Sequence, residues 1–178
     1  MGKHIAAMSL VLALLACTSA PAMSLTSADI KPGAAIPVAH IYPRCGGENI
    51  SPALSWSGAP AATKSFVVTM IDVDVKPDEW SHWIVVGLPA SVMSLPRAAT
   101  SLPGRAKAIL SNFGDAAYAG PCPPKGTGVH HYQFTIWALP TAEISLPDDE
   151  KATTLTALLS KTALDRASLI GLVSAPSN

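Results

Sequence analysis

Charged residues are scarce in this sequence. They make up 13% of the 178 residues, and 12 basic side chains are balanced by 12 acidic ones, so the formal net charge is zero. The chain has no run of basic residues, whereas proteins that bind nucleic acid concentrate positive charge on one surface. Nucleic acid is therefore not an expected partner.

The sequence also lacks the short motifs of common catalytic and metal sites. It contains no GxSxG nucleophile motif, no HExxH metal motif and no CxxC pair. Asp72, His82 and His130 are separated by 10 and 48 positions, which matches no standard set of metal ligands. We therefore expect no catalytic residues, no cofactor and no bound metal. A weak hydrolase that uses the same acid and histidines is the alternative.

Long apolar runs are missing except near the N-terminus. Residues 5–16 are apolar and follow the basic Lys3, but they are fewer than the roughly 20 residues that a membrane-spanning helix needs. Ala20-Pro21-Ala22 then has the small residues of a cleavage site. We expect a signal peptide over residues 1–22 and one exported domain over residues 23–178, with no transmembrane segment in the mature chain.

Cysteine occurs only three times. Cys17 ends the sequence LLAC, which resembles a bacterial lipobox, so a lipid anchor on Cys17 is the alternative to simple cleavage. Cleavage after Ala22 removes Cys17 and leaves Cys45 and Cys122. An even pair of cysteines in an oxidising compartment is a disulfide candidate, and two free buried thiols are the alternative.

Proline and glycine are abundant, with 16 and 12 residues, and they separate short apolar segments. Period-two patterns and apolar runs predict strands at 36–42, 54–56, 65–74, 81–88, 106–111, 129–139 and 167–173. An acidic step at 148–150 precedes leucines at helical spacing, which predicts one late helix. This order of elements is typical of an all-β domain built from two packed antiparallel sheets.

One loop is unusually rigid. Residues 120–132 contain three prolines and three glycines and run directly into the predicted strand 129–139. Such a loop is stiff and lets its backbone approach a ligand closely. Period-two counting puts His130 and Tyr132 on the face of the strand that points to the core. A buried histidine under a proline-rich loop is the simpler interpretation of this segment.

Two earlier strands bring further polar residues to one edge of a sheet. The short polar connector at 75–80 predicts an antiparallel hairpin, in which the end of one strand lies beside the start of the next. This hairpin places Asp72 near His82, and His130 joins them if its strand enters in the right direction. Period-two counting gives His82 three apolar neighbours on its own face: Ile84, Val86 and Leu88.

Together these side chains predict an anion-binding pocket. Two imidazoles, a phenol and the backbone N–H groups of Gly120 and Cys122 can donate hydrogen bonds to an anion. Asp72 would orient a histidine, and a histidine beside a carboxylate is more easily protonated, which favours a phosphate group. Taken singly, Asp72 is an ordinary strand end and His82 a half-buried strand histidine.

Four blocks of the sequence resemble one known family. CGGENISP at 45–52 resembles the entry loop of exported bacterial phosphatidylethanolamine-binding proteins, which are also called Raf-kinase-inhibitor-like proteins. Residues 72–74 are similar to the first half of the family's DPDAP segment, and 80–86 to its WxHW(I/V)V strand. Residues 123–132 resemble its GPPxGxGxHRY loop. The blocks span most of residues 34–173.

The resemblance implies a fold, a ligand class and a set of site residues. The fold would be an all-β-dominated, Greek-key-like sandwich of two antiparallel sheets with a helix near the C-terminus. The pocket would bind small anionic or phosphate-bearing ligands, and the protein would also act on a protein target as a kinase- or protease-inhibitor-like regulator. By position, the pocket would use Asp72, His82, Gly120, Cys122, His130 and Tyr132.

The chain also departs from the family pattern. Val73, Val75 and Lys76 replace the two prolines and the alanine of DPDAP. Ser81 replaces a common histidine, and His131 replaces the arginine that precedes the tyrosine. These differences affect the shape and the charge of the implied pocket.

Overall fold

The computed structural model describes residues 22–144 and 152–177. Its regular elements are β1 Ser24–Thr26, β2 Leu54–Ser57, β3 Ser65–Asp72, β4 Trp80–Pro89, β5 Ser94–Leu95, β6 Lys107–Ala108, β7 Val129–Leu139, α1 Ala152–Thr162 and β8 Asp165–Ser174. One sheet has three strands in the order β1-β2-β5, and the other has five in the order β6-β4-β3-β7-β8. Neighbouring strands pair antiparallel throughout both sheets.

The connectivity of the large sheet is a Greek key. Strands β3, β4 and β6 lie side by side, and β7 returns over a long connection to pair with β3. The two sheets pack face to face around one core of apolar side chains, which includes Leu54 and Trp56 from the small sheet and Phe66, Met70 and Phe134 from the large one. The predicted two-sheet antiparallel fold is confirmed.

The helix α1 covers the outer face of the large sheet. Its Leu155 and Leu159 pack against Val67, Ile84 and Trp137, so β3 is buried on both faces. This double burial explains why the segment reads as a continuous apolar run rather than an alternating one. The predicted helix is confirmed, and the acidic step at 148–150 lies outside the described residues. None of the described helices has the length and hydropathy to cross a bilayer.

The strand predicted at 36–42 is wrong. Two single turns of 3₁₀-helix, Val38–His40 and Pro43–Cys45, occupy this region instead, and Ala35 makes only an isolated bridge to Leu172. Prolines at 37 and 43 explain the difference, because a residue without an N–H cannot donate to a sheet ladder. The strand predicted at 106–111 is also shorter than expected, since only the two residues of β6 pair.

The predicted face of β4 is wrong as well, because two register shifts interrupt it. Met70 pairs with Trp83 while Ile71 pairs with Ser81, so His82 is an extra residue in the strand. A second shift lies near Gly87, which has a φ of +72°. As a result, Ile84 and Val86 lie under the helix, whereas Trp83, Val85 and Leu88 belong to the core between the sheets.

Candidate functional site

Four of the predicted site residues meet at one edge of the large sheet. Asp72 is the last residue of β3, and it pairs with Trp80 at the start of β4 on one side and with Tyr132 near the start of β7 on the other. The bulge in β4 turns His82 toward this group, with its ring 5.1 Å from that of Tyr132. We call Asp72, His82, His130 and Tyr132 the Asp72 cluster.

The Asp72 cluster is almost closed to solvent. The exposed fractions are 3% for Asp72, 2% for His82, 5% for His130 and 1% for Tyr132. Only a small chemical group of a ligand can therefore reach these side chains. A separate cleft of about 590 Å³ is lined by other residues, among them Lys64, Arg105 and Lys107.

His130 is held by hydrogen bonds at both ring nitrogens. Its Nδ1 lies 2.7 Å from Oδ2 of Asp72, and its Nε2 lies 2.8 Å from Oγ1 of Thr127. The Thr127 hydroxyl also donates to the carbonyl oxygen of Pro124 at 2.7 Å. A carbonyl can only accept, so the Thr127 hydroxyl uses its hydrogen on Pro124 and accepts from Nε2 of His130. The bonds from His130 to Asp72 and to Thr127 and the bond from Thr127 to Pro124 are all made together only when both nitrogens of His130 carry a hydrogen. Both ring nitrogens of His130 are therefore engaged within the protein.

His82 is neutral in the folded protein. Burial lowers its pKa to about 4, and the carbonyl of Ala119 and the charge of Asp72 oppose this shift only in part. Its Nδ1–H donates to the Ala119 carbonyl at 2.8 Å, so the neutral ring keeps its lone pair on Nε2. At this histidine, desolvation outweighs the attraction of the nearby carboxylate.

Tyr132 stays protonated at all physiological pH values. Burial raises the pKa of its hydroxyl, and the charge of Asp72 and a hydrogen bond with that carboxylate raise it further. The hydroxyl therefore acts as a donor to Asp72. The same carboxylate accepts the backbone N–H of Asp74 through its Oδ1, at 3.0 Å.

Gly120 lies at a point of close backbone contact. A Cβ at this position would come within 2.3 Å of the carbonyl oxygen of His40 and within 2.7 Å of the nitrogen of Tyr42, so only glycine fits. Its N–H donates to Oδ1 of Asn49 at 2.7 Å. The N–H that was expected to face an anion is thus already used.

Cys122 is joined to Cys45 by a disulfide, which confirms the predicted pairing. The bond links the entry loop to the rigid loop across 77 positions of sequence, with the two Cα atoms 5.5 Å apart. Within residues 22–144 and 152–177, the N–H of Cys122 has no acceptor.

Several residues beside the cluster were not predicted from the sequence. Phe113 lies 4.8 Å from the ring of His82, 5.3 Å from that of Tyr42 and 6.3 Å from that of Trp80. Trp80 is 39% exposed, so the rings of Tyr42, Trp80 and Phe113 form an aromatic rim beside the cluster. Asn49 is a further such residue, and the sequence GGEN does mark a tight turn in which an asparagine can bond to neighbouring backbone.

A second acid–histidine pair lies at the rim. Oδ2 of Asp74 accepts from both the backbone N–H and Nδ1 of His131, the latter at 2.9 Å. Burial raises the pKa of Asp74, but these hydrogen bonds lower it by a larger amount. The pKa of Asp74 therefore lies below its usual value. Ligand atoms of Asp72, Asp74 and His130 lie within 4.8 Å of one another, a spacing that could hold a metal ion. An ion there would have to displace the existing contact between His130 and Asp72.

Comparison with known proteins gives consistent results. A model of the family described as phosphatidylethanolamine-binding protein matches residues 26–174. YbcL of Escherichia coli strain K12 is 44% identical over 145 residues, which is 76% of this chain and 79% of YbcL. LppC of Mycobacterium tuberculosis strain H37Rv, whose name marks it as a candidate lipoprotein, is 34% identical over 159 residues, or 88% of this chain and 76% of LppC.

The fold agrees with a solved structure. The crystal structure of Escherichia coli YbcL, described as a new member of the mammalian PEBP family, superposes with a TM-score of 0.78. The two chains are 37% identical in this superposition, which covers 85% of this chain and 98% of the other. The family match runs from the last residue of β1 to the last residue of β8. The chain therefore belongs to the phosphatidylethanolamine-binding protein family.

Proposed function

We propose that this protein is an exported, non-catalytic binding protein that recognises a phosphate-bearing or other small anionic ligand at the Asp72 cluster. The observation that carries the proposal is the convergence of one acid, two imidazoles and a phenol beneath a proline-rich loop. The disulfide between Cys45 and Cys122 holds that loop in place without a ligand. Preorganisation of this kind favours binding, because little ordering is left to occur.

The bonding within the cluster supports a binding role over a catalytic one. A nucleophile needs an adjacent base, but both nitrogens of His130 are engaged, and the free lone pair on Nε2 of His82 is weakly basic because burial lowers the pKa of that histidine to about 4. Cys122 is in a disulfide and offers no thiolate. A weak hydrolase remains the alternative. Hydrolytic activity that disappears with a chelator or in His130→Ala would support it.

Two observations support export. The disulfide is of the kind that persists in oxidising compartments, and LppC, a relative, carries a lipoprotein name. Both agree with the signal peptide proposed for residues 1–22 and with periplasmic or secreted placement, with lipid attachment at Cys17 as the alternative. The intact mass of the exported protein tests this proposal, since cleavage, lipid attachment and the disulfide each change the mass.

Histidine NMR tests the ligand proposal directly. Inorganic phosphate and phosphoethanolamine are titrated into the oxidised protein while the imidazole signals of His82 and His130 are followed. We expect both histidines to shift at millimolar ligand. His40 is the internal control, because it is fully buried and its Nδ1 lies 2.6 Å from the carbonyl of Ile50. Unchanged signals of His82 and His130 at tens of millimolar ligand would contradict the proposal.

The aromatic rim favours a second candidate function, regulation of a protein target as an inhibitor of a protease or a kinase. Exposed Trp80 beside partly buried Tyr42 and Phe113 provides the aromatic side chains that are enriched at protein interfaces. An inhibition panel with wild-type protein and Asp72→Ala separates the two candidates. Inhibition that the variant retains would assign the contact to the rim, whereas inhibition that it loses would assign it to the cluster.

A further inference from the structure

We propose that the Asp72 cluster selects a guest that brings its own proton: a phosphate group in its singly protonated, monoanionic form, in preference to an equally charged anion of the same shape without a proton. This inference rests on the proposed function, since it specifies which anion the same site accepts. It follows from a count of the hydrogen-bond donors and acceptors that the cluster leaves unused.

The donors of the cluster already have acceptors. The N–H of Gly120 donates to Asn49, and Nδ1–H of His82 donates to the carbonyl of Ala119. Nδ1–H of His130 donates to Asp72. A guest that offers only acceptors must therefore break one of these bonds or rely on the N–H of Cys122.

The remaining donors are used in the same way. The hydroxyl of Tyr132 bonds to Asp72, and that of Thr127 donates to the carbonyl of Pro124. In the part of the chain that the structure describes, the carboxylates of the cluster and rim pair with histidines and with no lysine or arginine. The four residues of the cluster include no lysine or arginine to hold a fully ionised phosphate, and the nearest such residue in sequence, Lys76, donates to the carbonyl of Val73 at 2.9 Å.

The unused capacity consists of acceptors. Nε2 of His82 carries a lone pair, because the ring is neutral and its proton is on Nδ1. The two oxygens of Asp72 offer about four acceptor positions, of which His130, the N–H of Asp74 and the hydroxyl of Tyr132 use three, so one remains. A group that contacts these atoms favourably must present an O–H or N–H. A monoprotonated phosphate has such an O–H, whereas a sulfate ester does not.

The charges that face His82 do not compensate for a dianion. From β3 it faces the carboxylate of Asp72, and from β7 it faces the imidazole of His130 and the phenol of Tyr132. The segment after β6 contributes the ring of Phe113 and the backbone of Ala119 and Gly120, none of which is charged. Asp72 is paired with His130, and Asp74 at the rim is paired with His131.

The test compares two ligands that differ by one proton. Below about pH 6, methyl phosphate and methyl sulfate both carry one negative charge and have the same tetrahedral shape, but only methyl phosphate has an O–H. We expect methyl phosphate to bind the oxidised wild-type protein at about pH 5 at least about tenfold more tightly than methyl sulfate, as measured by calorimetry or by the His82 NMR signal. Equal binding would overturn the inference and leave the proposed function intact. If neither ligand binds, both fail.

The pH dependence gives a second readout. A phosphomonoester with a second pKa near 6 is about 90% monoanion at about pH 5 and about 1% at about pH 8, so the apparent affinity should fall about 90-fold. A change of charge on the protein over this range would also change binding. Methylphosphonate separates the two causes, because its second pKa is higher. The midpoint should move upward with the ligand's pKa, and an unchanged midpoint would overturn the inference.

Two matched variants locate the effect. Asp72→Asn replaces the charged acceptor with an amide that can donate, so it should bind methyl phosphate and methyl sulfate alike. Asp74→Asn removes the neighbouring carboxylate, which bonds to His131 outside the cluster, and should keep the preference of the wild type. Loss of the preference in Asp74→Asn but not in Asp72→Asn would contradict the assignment. The comparison on wild-type protein stands even if a variant does not fold.

Discussion

Asn49 should hold the rigid loop in position over the cluster, and its replacement tests this directly. The residue has a φ of +57°, a left-handed conformation that asparagine tolerates better than most residues. Its side chain accepts the N–H of Gly120 at 2.7 Å and donates to the carbonyl of Tyr118 at 3.1 Å. One side chain therefore joins the entry loop to the segment that leads into the site.

The cost of Asn49→Gly can be worked out from these contacts. Glycine adopts the same backbone angles, so the change removes the two hydrogen bonds and little else. The bond to Tyr118 contributes about 1 kcal/mol, and the buried N–H of Gly120 without a partner costs about 1–3 kcal/mol. The free energy of unfolding should fall by about 2–4 kcal/mol. Asn49→Ala should cost about 1–2 kcal/mol more, because alanine resists a positive φ.

Urea unfolding of the oxidised protein, followed by tryptophan fluorescence, measures this cost. With a slope of about 2 kcal/mol/M, the midpoint of Asn49→Gly should lie about 1–2 M below that of the wild type. Asn49→Asp is the matched control, since it keeps an acceptor for Gly120 and loses only the donor to Tyr118. A midpoint of Asn49→Gly within about 0.3 M of the wild type would refute the claim that this side chain anchors the loop.

Three further predictions concern the disulfide, the buried histidine and the tight glycine. Removing the disulfide with Cys45→Ser and Cys122→Ser should lower the free energy of unfolding by about 4.5 kcal/mol, the chain-entropy value for a loop of 77 positions, and reduction of the wild type should have the same effect; identical urea curves with and without reductant would contradict this. The pKa of His82 is lowered from 6.5 to about 4, so between these pH values the unfolded chain binds a proton that the folded protein does not. The free energy of unfolding should therefore be highest above about pH 6.5 and fall by about 3 kcal/mol as the pH drops toward 4. In His82→Gln the urea midpoint should depend less on pH over this range than in the wild type. An equally strong pH dependence in the variant would count against the assignment to His82. Gly120→Ala should destabilise by at least about 3 kcal/mol in thermal unfolding, because the new Cβ meets backbone at 2.3 Å and Gly120 has no positive φ to add backbone strain. Gly114→Ala is the comparison, because it has a φ of +83° but no atom within 4 Å of the new Cβ, so it should cost only about 1–2 kcal/mol of backbone strain. A cost for Gly120→Ala no larger than that of Gly114→Ala would rule out steric contact as the cause.

The failures of the sequence-based predictions have local physical causes. The alternation of His82, Ile84, Val86 and Leu88 is real as a pattern, but a β-bulge changes the face of every residue after it. A bulge leaves no clear mark in a strand without a turn signal, although Gly87 is compatible with the second shift. The strand predicted at 36–42 was wrong for a different reason. The apolar residues of this segment favour a strand, but the prolines at 37 and 43 prevent regular pairing.

The sequence alone determined the features that depend on periodicity and on chain connectivity. Alternation placed Tyr132 and Phe134 in the core, and a short connector paired β3 with β4, because antiparallel neighbours need only a tight turn. That pairing by itself brings Asp72 and His82 to one edge of the sheet. The even count of cysteines after residue 22 predicted the disulfide that the structure contains.

Only the tertiary structure decided the chemistry of the site. The protonation of His82 depends on how completely it is desolvated, and the state of His130 depends on contacts with Asp72, 58 residues away, and with Thr127. Asn49 takes the N–H of Gly120 across 71 residues, which no local pattern indicates. Burial and hydrogen-bond direction are properties of packed neighbours, so residue types and spacing could name the participants but not which atoms remain free to meet a ligand.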